Sequence, residues 1–212
     1  MNQSEIIQKQ KEKINAIKKK AINVRSPQAQ IIQKLIVKEV KWKPKENKDK
    51  KTILALVDEI PEGCRMKIIS NLFDSPNVIS AINSEYDIIE VFISSWAITP
   101  IGISRLKSLT DKGIKITVLL DKTHSYKWLF SSGAYKVLRN ASVIFSENHS
   151  KFILFNLGEN IAPINFIGSF NLSNNPRYEN IEINRSFEEY EFYSNFVKAI
   201  ESGKTDSQYT LF

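Results

Sequence analysis

Short apolar runs alternate with segments of helical pattern from residue 52 to residue 200, and this alternation constrains the fold more than any other feature of the chain. The run 114–120 is continuous and rich in β-branched residues, which is expected of a strand covered on both faces. Strands that alternate with helices predict an α/β fold, here a mixed, mainly parallel β-sheet flanked by helices on both faces. We predict strands at 53–57, 66–70, 88–94, 114–120, 141–145, 151–157 and 164–167, and helices at about 75–84, 99–111, 126–138 and 187–200.

The net charge of +7 is concentrated at the front of the chain. Residues 1–51 contain 15 Lys and Arg against 5 Asp and Glu, whereas residues 52–212 contain 15 against 18. We therefore predict two parts, a basic, partly helical N-terminal extension over 1–51 and a folded domain over 52–212. The positive charge favours a polyanionic partner, nucleic acid first and an anionic membrane second. The alternative is a solvated extension without a specific partner, and Trp42 could either stack on a base or cover the domain.

Composition excludes several kinds of site. The single cysteine, Cys64, excludes an internal disulfide, and two histidines exclude a zinc site of the usual Cys/His form. No run approaches 18 apolar residues, and the lysine-rich N-terminus is not followed by the apolar segment of a signal peptide. We expect a protein without a membrane span that is located in the cytoplasm.

Polar side chains cluster around two predicted strands late in the domain. His149 and Lys151 lie two residues apart at the start of one strand, so their side chains emerge on the same face. Ser169 and Asn171 have the same spacing just after the next strand. An imidazole, an ammonium group, a hydroxyl and a carboxamide could thus converge at neighbouring strand ends. Such a set suits a phosphate group, because it provides a nucleophile or proton carrier, a fixed positive charge and neutral donors.

The chain contains three short motifs, which are in order His149-x-Lys151, Gly168-Ser169-x-Asn171 and Glu179-Asn180. Together they resemble the signature of the phospholipase D superfamily. The upstream segments 92–96 and 113–121 are similar to the strand, helix and strand that precede this signature in the superfamily. The resemblance covers about residues 52–200, leaves the basic extension out, and points to short bacterial and phage-type members with one copy of the motif.

The resemblance implies phosphodiester chemistry without a metal or another cofactor. One histidine attacks phosphorus to form a phosphohistidine, a second protonates the leaving oxygen, and lysine and asparagine side chains hold the phosphoryl oxygens. The matching residues here are His149, Lys151, Ser169 and Asn171. His124 has no such motif around it, so we expect an ordinary loop residue. Single-copy members bring two motifs together in a homodimer, which leads us to expect a C2 dimer with one composite site.

One position departs from the family pattern. Asn156 stands where the pattern has an aspartate that orients the motif or supports the histidine, and asparagine keeps the hydrogen bonding but loses the charge. Glu179 resembles a glutamate of short nuclease-like members and could supply a carboxylate instead. We therefore include Asn156 and Glu179 among the candidate site residues. Asp121, at the end of a predicted strand, could also face the site.

Three functions are compatible with these features. The leading interpretation is a nuclease that cleaves nucleic acid, with DNA favoured, through a phosphohistidine in a homodimeric site. A catalytically weak or inactive member that binds nucleic acid is the second, and Asn156 motivates it. A lipid phosphodiesterase is the third, but it would need the segment 7–24 as a membrane anchor, and that segment has few bulky apolar residues.

Overall fold

The computed structural model describes residues 36–37, 46–70, 73–173 and 178–203. Contacts divide the chain into a unit over residues 1–30 and a unit over residues 31–212, and all the described residues belong to the second. The helix predicted within residues 1–24 and the stacking role considered for Trp42 lie outside the described residues.

Eight strands form a single sheet in the described part of the chain. They are β1 (Ile36–Val37), β2 (Arg65–Ser70), β3 (Glu90–Ser95), β4 (Lys115–Asp121), β5 (Ser142–Ser146), β6 (Phe152–Asn156), β7 (Ile164–Gly168) and β8 (Glu179–Asn184). Their order across the sheet is β1-β2-β8-β7-β6-β3-β4-β5. β6 therefore lies beside β3, and two strands, β3 and β4, separate it from β5.

The predicted mixed sheet is confirmed, but its parallel pairs do not dominate. Among the described strands, three neighbouring pairs are parallel and four are antiparallel. Parallel neighbours need a long crossover, and a helix provides it between β3 and β4. The short loop 157–163 between β6 and β7 allows only an antiparallel return. The prediction overestimated the parallel share because it assumed a helix between most strands.

Helices cover both faces of the sheet, as predicted. They are α1 (Glu46–Asp58), α2 (Ser75–Glu85), α3 (Pro100–Thr110), α4 (Lys127–Ser131) and α5 (Phe187–Glu201), with a π-helical turn at Lys122–Tyr126 and a 3-10 helix at Ala134–Leu138. Side chains alternate along β3: Val91 and Ile93 pack in the larger core with α1 to α4, whereas Phe92 packs in a second core with Val197 of α5. No helix in this part of the chain is long and apolar enough to cross a bilayer.

The strand predicted at 53–57 is wrong, because these residues belong to α1. A short apolar run fits a buried strand and a buried helix equally well. The deciding signal is the spacing of the buried positions: Ile53, Leu56 and Val57 are buried and follow one face of a helix, and Ile60 is buried just after the helix ends. The helix spans residues 51 and 52, where we predicted the boundary between extension and domain.

Two further elements differ from the prediction. β8 was not predicted, although Ile181 and Ile183 alternate with polar residues in the pattern of a half-buried strand. The helix predicted over 126–138 is interrupted at Gly133, whose φ of 70° is left-handed and ends α4 before the 3-10 helix begins. The first difference matters for function, because β8 carries Glu179 into the sheet.

Candidate active site at one edge of the sheet

One edge of the sheet collects most of the predicted site residues. β3 and β4 are parallel and both end at this edge, where Ser95 pairs with Leu120. β6 is antiparallel to β3 and begins there, β7 ends there at Gly168, and β8 begins there at Glu179. We refer to it as the site edge. Across it lie in order His124 after β4, Trp96 after β3, His149 and Lys151 before β6, Ser169 and Asn171 after β7, and Glu179 at the start of β8.

The segment 147–151 runs along the site edge. It connects β5, an outermost strand, to β6 three strand positions away, which is about 14 Å at the usual strand spacing. Its contacts follow this course over the ends of β4 and β3. Glu147 forms an ion pair with Lys122 at 2.7 Å, and the Asn148 side chain reaches Ser94 at the end of β3. This course therefore places His149 at the ends of β3 and β4, which precede it by many residues in the sequence.

His149 and Lys151 face each other at the end of this crossing. The Lys151 ammonium donates to the backbone oxygen of His149 at 3.0 Å and lies 3.4 Å from Nδ1 of the imidazole. His149 is exposed, whereas Lys151 is buried. Burial lowers the pKa of Lys151, and the negative charge of Glu179 acts in the opposite direction. An imidazole open to solvent thus lies beside a desolvated cation; from the sequence, we predicted only that the two side chains emerge on the same face.

Ser169 and Glu179 meet across the ends of β7 and β8. The Ser169 hydroxyl donates to the Glu179 carboxylate and accepts from the backbone N–H of Asn180 at 3.1 Å. The N–H of Gly168 donates to the backbone oxygen of Lys151 at 3.1 Å, which ties this pair to the start of β6. A Cβ on Gly168 would lie 2.2 Å from the backbone oxygen of Asn180, so β8 can approach this closely only beside a glycine.

Asn171 lines the same pocket as Ser169 and Glu179. The pocket has a volume of about 150 Å³ and is completed by Phe73, Asp74, Phe170, Ser173 and Tyr178. The backbone oxygen of Asn171 accepts from the Ser75 hydroxyl of α2 at 2.8 Å. Its side-chain Oδ1 is buried and has no hydrogen-bond partner among the residues that the structure describes. The carboxamide is therefore held in place by its backbone while its oxygen is unpaired.

Asn156 is not brought to the site edge. It lies at the opposite end of β6, where its Oδ1 accepts from the N–H of Gly158 at 2.9 Å and its side chain bonds to Tyr190. It lies five positions after Lys151 along the strand, a distance of about 17 Å. In this structure Asn156 caps the turn after β6. It has no contact with His149 or Lys151 through which a carboxylate at this position could support the imidazole.

A buried polar network fixes the backbone on both sides of His149. Asn148 donates from Nδ2 to the Ser94 hydroxyl at 2.9 Å. Its Oδ1 accepts from the backbone N–H of Ser150 at 3.0 Å and from the Ser150 hydroxyl at 2.6 Å. The Ser94 and Ser150 hydroxyls are themselves 2.7 Å apart. Because Asn148 and Ser94 are buried, the loss of either side chain would leave buried polar groups unpaired.

Asp121 lies behind the site and holds two of its segments. One carboxylate oxygen accepts from the N–H groups of Thr123 at 2.9 Å and His124 at 3.0 Å, and the other accepts from Asn148 N–H at 3.3 Å. Burial raises the pKa of Asp121, but these backbone donors outweigh it and hold the pKa below its usual value. A single charged carboxylate thus joins the backbones that carry His124 and His149.

Trp96 and His124 are site-edge residues that the motifs do not include. The Trp96 ring centroid lies 3.8 Å from that of His124 and 5.8 Å from that of His149. Their position at the carboxyl ends of adjacent parallel strands is the signal that could have identified them. No group of three or more histidine, cysteine or acidic side chains in the described ranges is arranged to hold a metal ion.

Comparison with known proteins identifies the family of the chain. The family model described as "Cardiolipin synthase, PLD-like domain" matches residues 76–203, more than half of the chain. Polyphosphate kinase from Porphyromonas gingivalis has a similar structure at 11% identity, with a TM-score of 0.52 over 69% of this chain and 27% of the kinase. This likeness concerns the fold alone, and the chain spans little more than a quarter of that enzyme.

A second structure of similar fold is Nuc from Salmonella typhimurium, a phospholipase D family member. It is 17% identical, with a TM-score of 0.49 over 65% of this chain and 95% of that protein. A search of curated proteins finds no match.

Proposed function

Because the chain belongs to the phospholipase D-like family, we propose that it is a metal-independent phosphodiesterase whose nucleophile is His149. Members of this superfamily are phosphodiesterases, which supports the general reaction. The observation that carries the assignment is the exposed His149 imidazole 3.4 Å from the Lys151 ammonium, with the Ser169–Glu179 pair across the adjacent strand end. Such an arrangement would bind a phosphate group beside the proposed nucleophile.

The proposed reaction has two steps. A ring nitrogen of His149 attacks phosphorus, a P–N bond forms, and the P–O bond to the leaving oxygen breaks. Water then attacks the phosphohistidine, the P–N bond breaks, and a phosphomonoester is released. This division replaces one difficult displacement by two easier ones. An imidazole suits both steps because it can attack in its neutral form and is released unchanged.

Lys151, Ser169 and Asn171 would bind the phosphoryl oxygens. Negative charge accumulates on these oxygens in each transition state, where a buried cation interacts more strongly than it would in water. A fixed donor of this kind contributes on the order of 10²-fold in rate. Glu179 would orient the Ser169 hydroxyl and balance the charge of Lys151. Asn156, at the far end of β6, has no part in this scheme.

We favour nucleic acid, and DNA in particular, as the substrate. Its support is the extension over residues 1–51, which carries 15 basic and 5 acidic side chains and would attract a polyanion to the domain. A nucleic-acid-binding protein with little or no turnover is the second candidate. A lipid phosphodiesterase would use the same site, but the basic extension gives it less support. We propose a cytoplasmic location from the sequence.

The reaction also needs a second acid–base group, which protonates the leaving oxygen and later activates water. The C2 homodimer expected from the sequence is one source, since it would place two copies of His149 across a two-fold axis. This assembly is a proposal that a mass measurement can test. A monomer at concentrations that support full activity would argue against it.

A nuclease assay in EDTA tests the proposed function. Wild type should cleave plasmid or single-stranded DNA without a divalent metal, and His149→Ala should abolish cleavage. Lys151→Arg is a useful companion, because it keeps the charge but not the shape of the ammonium. No cleavage by wild type, combined with salt-dependent DNA binding, would favour the binding protein instead. Undiminished cleavage by His149→Ala would show that this histidine is not the nucleophile.

A further inference from the structure

Exposed aromatic side chains cluster on the segment that connects β4 to β5. Phe130 of α4 and Tyr135 of the 3-10 helix are 44% and 40% exposed, and their rings stack with centroids 4.7 Å apart and an angle of 24° between the planes. Leu129 and Leu138 of the same two helices are buried in the larger core. The two leucines thus hold the helices on the core, while the ring pair forms part of the protein surface.

The same connection carries positive charge without negative charge. Residues 122–146 contain no acidic side chain and four basic ones, Lys122, Lys127, Lys136 and Arg139. Lys122 pairs with Glu147 at 2.7 Å. The other three are exposed, and none of them takes part in an ion pair within the part of the chain that the structure describes. Because residues 52–212 as a whole contain 15 basic and 18 acidic side chains, this segment stands out as one that would attract a polyanion.

The ring pair lies near the site edge and on the same side of the sheet as Lys151. The Phe130 ring is 6.1 Å from that of Phe145, the last residue but one of β5, which ends at the site edge. Phe145 and Ile153 both pack in the larger core, and Lys151 precedes Ile153 by two residues, so its side chain emerges on that face too. Three strand spacings separate β5 from β6, which is about 14 Å.

We infer that Lys127, Phe130, Tyr135 and Lys136 form a surface that binds single-stranded nucleic acid beside the phosphodiester that His149 attacks. We refer to these four residues as the aromatic–basic surface. The inference rests on the proposed function, because it takes nucleic acid as the substrate. It goes further by narrowing that substrate to a strand with unpaired bases and by placing its binding on the domain itself, apart from the basic extension.

The chemistry of the aromatic–basic surface suits unpaired bases. An aromatic side chain stacks on the face of any base, whereas the bases of a duplex already stack on one another. Lys127 precedes Phe130 by three residues on α4, which makes their side chains neighbours on the helix surface, and Lys136 directly follows Tyr135. Each ring thus has an ammonium group at an adjacent position, so that a base and the phosphate next to it can be bound together.

The distance to the proposed nucleophile fits a short piece of such a strand. At the 3.4 Å spacing of stacked bases, 14 Å corresponds to about four nucleotides. His124 and Trp96 lie between the surface and His149 along the site edge, so the connecting nucleotides would pass further aromatic rings. An anionic membrane also attracts aromatic and basic side chains, but binding to a bilayer scales with buried apolar area, and two rings on helices of five residues offer little.

Binding of a single strand and of the duplex of the same sequence tests the inference. Fluorescence anisotropy is measured in EDTA on full-length variants made in a His149→Ala background, so that no cleavage occurs during the titration. Tyr135→Ala should weaken single-strand binding about 5- to 100-fold, because one stacked base is lost, and change duplex binding less than twofold. Phe130→Ala should have the same effect. Tyr135→Phe keeps the ring and should bind both DNAs as the parent does.

Phe187→Ala is the matched control, because Phe187 is also 40% exposed but is followed by Glu188 and Glu189. It should leave both affinities unchanged. Lys136→Ala should weaken single-strand binding and reduce the steepness of its salt dependence, the slope of log association constant against log salt, by about 0.7, as expected for one phosphate contact. Thermal unfolding of each variant shows that a loss of binding does not come from a loss of the fold.

Two results would overturn the inference. The first is single-strand binding by folded Tyr135→Ala and Phe130→Ala within twofold of the parent, and the second is an equal loss for the duplex. Single-strand binding that is unchanged, together with weaker binding to phosphatidylglycerol vesicles, would overturn it in favour of a membrane-facing surface.

Cleavage assays with an intact His149 separate the inference from the proposed function. Tyr135→Ala should raise KM for single-stranded DNA but leave hydrolysis of bis(p-nitrophenyl) phosphate unchanged, because this small diester cannot reach from the site to the aromatic–basic surface. An unchanged KM for single-stranded DNA would overturn the inference and leave the proposed function standing. An absence of cleavage of both substrates by wild type would overturn the proposed function, whereas the binding measurements would still decide whether the surface holds a single strand.

Discussion

Asp121→Asn tests whether one carboxylate holds both histidine segments. The substitution keeps the shape of the side chain, but it replaces one acceptor oxygen by an NH₂ group. If the remaining oxygen stays with Thr123 and His124, the NH₂ group faces the N–H of Asn148, and two donors oppose each other. In the other orientation two N–H groups lose their acceptor. Either choice leaves at least one buried donor unpaired.

The expected cost of Asp121→Asn follows from these contacts. Loss of a hydrogen bond to a charged group costs about 1.5–3 kcal/mol when its partner stays buried. We expect a loss of about 2 kcal/mol in the free energy of unfolding, which corresponds to a decrease of about 4–8 °C in Tm for a chain of this size. Asp111→Asn is the control: Asp111 is exposed and pairs with Lys107 one helical turn away, so its loss should cost at most about 0.5 kcal/mol.

Urea unfolding at several pH values provides the assay. The pKa of Asp121 is lowered in the folded protein, so its charged form stabilises the fold above the pKa of an unfolded aspartate, about 3.9. This stabilisation is lost as the pH falls from about 4 through the lowered pKa. The gap between wild type and Asp121→Asn should therefore be complete at pH 7 and smaller at pH 3. An equal difference in the free energy of unfolding at both pH values, or no difference at pH 7, would refute the role given to the carboxylate.

Three further substitutions test the side of the site that is proposed to bind phosphate. Gly168→Ala should lower the free energy of unfolding by about 1–3 kcal/mol and reduce DNA cleavage, because its Cβ would collide with the backbone of Asn180. Gly113→Ala is the control: Gly113 has a φ of 79° and open space around it, so the substitution should cost about 1 kcal/mol and leave cleavage unchanged. Lys151→Met should abolish cleavage yet raise Tm in thermal unfolding, because a charge that burial disfavours is removed; a lower Tm would contradict this. Glu179→Gln removes the charge that raises the pKa of Lys151, so the alkaline limb of the pH–rate profile should move to lower pH, and an unchanged limb would exclude the coupling.

Local patterns were sufficient to predict much of the fold. The β-branched run of β4 and the caps of α2 and α3 identify those elements without information from the rest of the chain. α1 needed a wider window, because only three buried positions, Ile53, Leu56 and Val57, lie on one face of the helix, and most of the helix precedes its apolar run. β8 was overlooked because its apolar positions are only Ile181 and Ile183, and its stability comes from pairing with β2 and β7. Pairing of this kind is tertiary and leaves little trace in a single segment.

The candidate site divides in the same way. Lys151 and Ser169 could be located from two-residue spacings at the ends of strands that turn out to be neighbours. The position of Asn156 could not be predicted in this way, because a place in a sequence motif does not reveal that a β-strand separates the asparagine from the lysine. Residues that are five positions apart in a motif are close in the sequence, but in a β-strand they are about 17 Å apart, so Asn156 lies far from the strand ends where the motif begins.

The position of His124 depends on strand order, which the sequence does not reveal. Had β6 paired with β5, the segment 147–151 would have formed a tight turn at the outer end of the sheet, far from Trp96. Instead β6 lies beyond β3, and the connection passes over the ends of β4 and β3 to reach it. That course creates the bond from Asn148 to Asp121 and brings His149 to the indole that His124 already contacts. The crossing that brings both histidines to Trp96 is thus the same feature that joins their backbones through one carboxylate, so a variant that loosens Asp121 should displace both imidazoles at once.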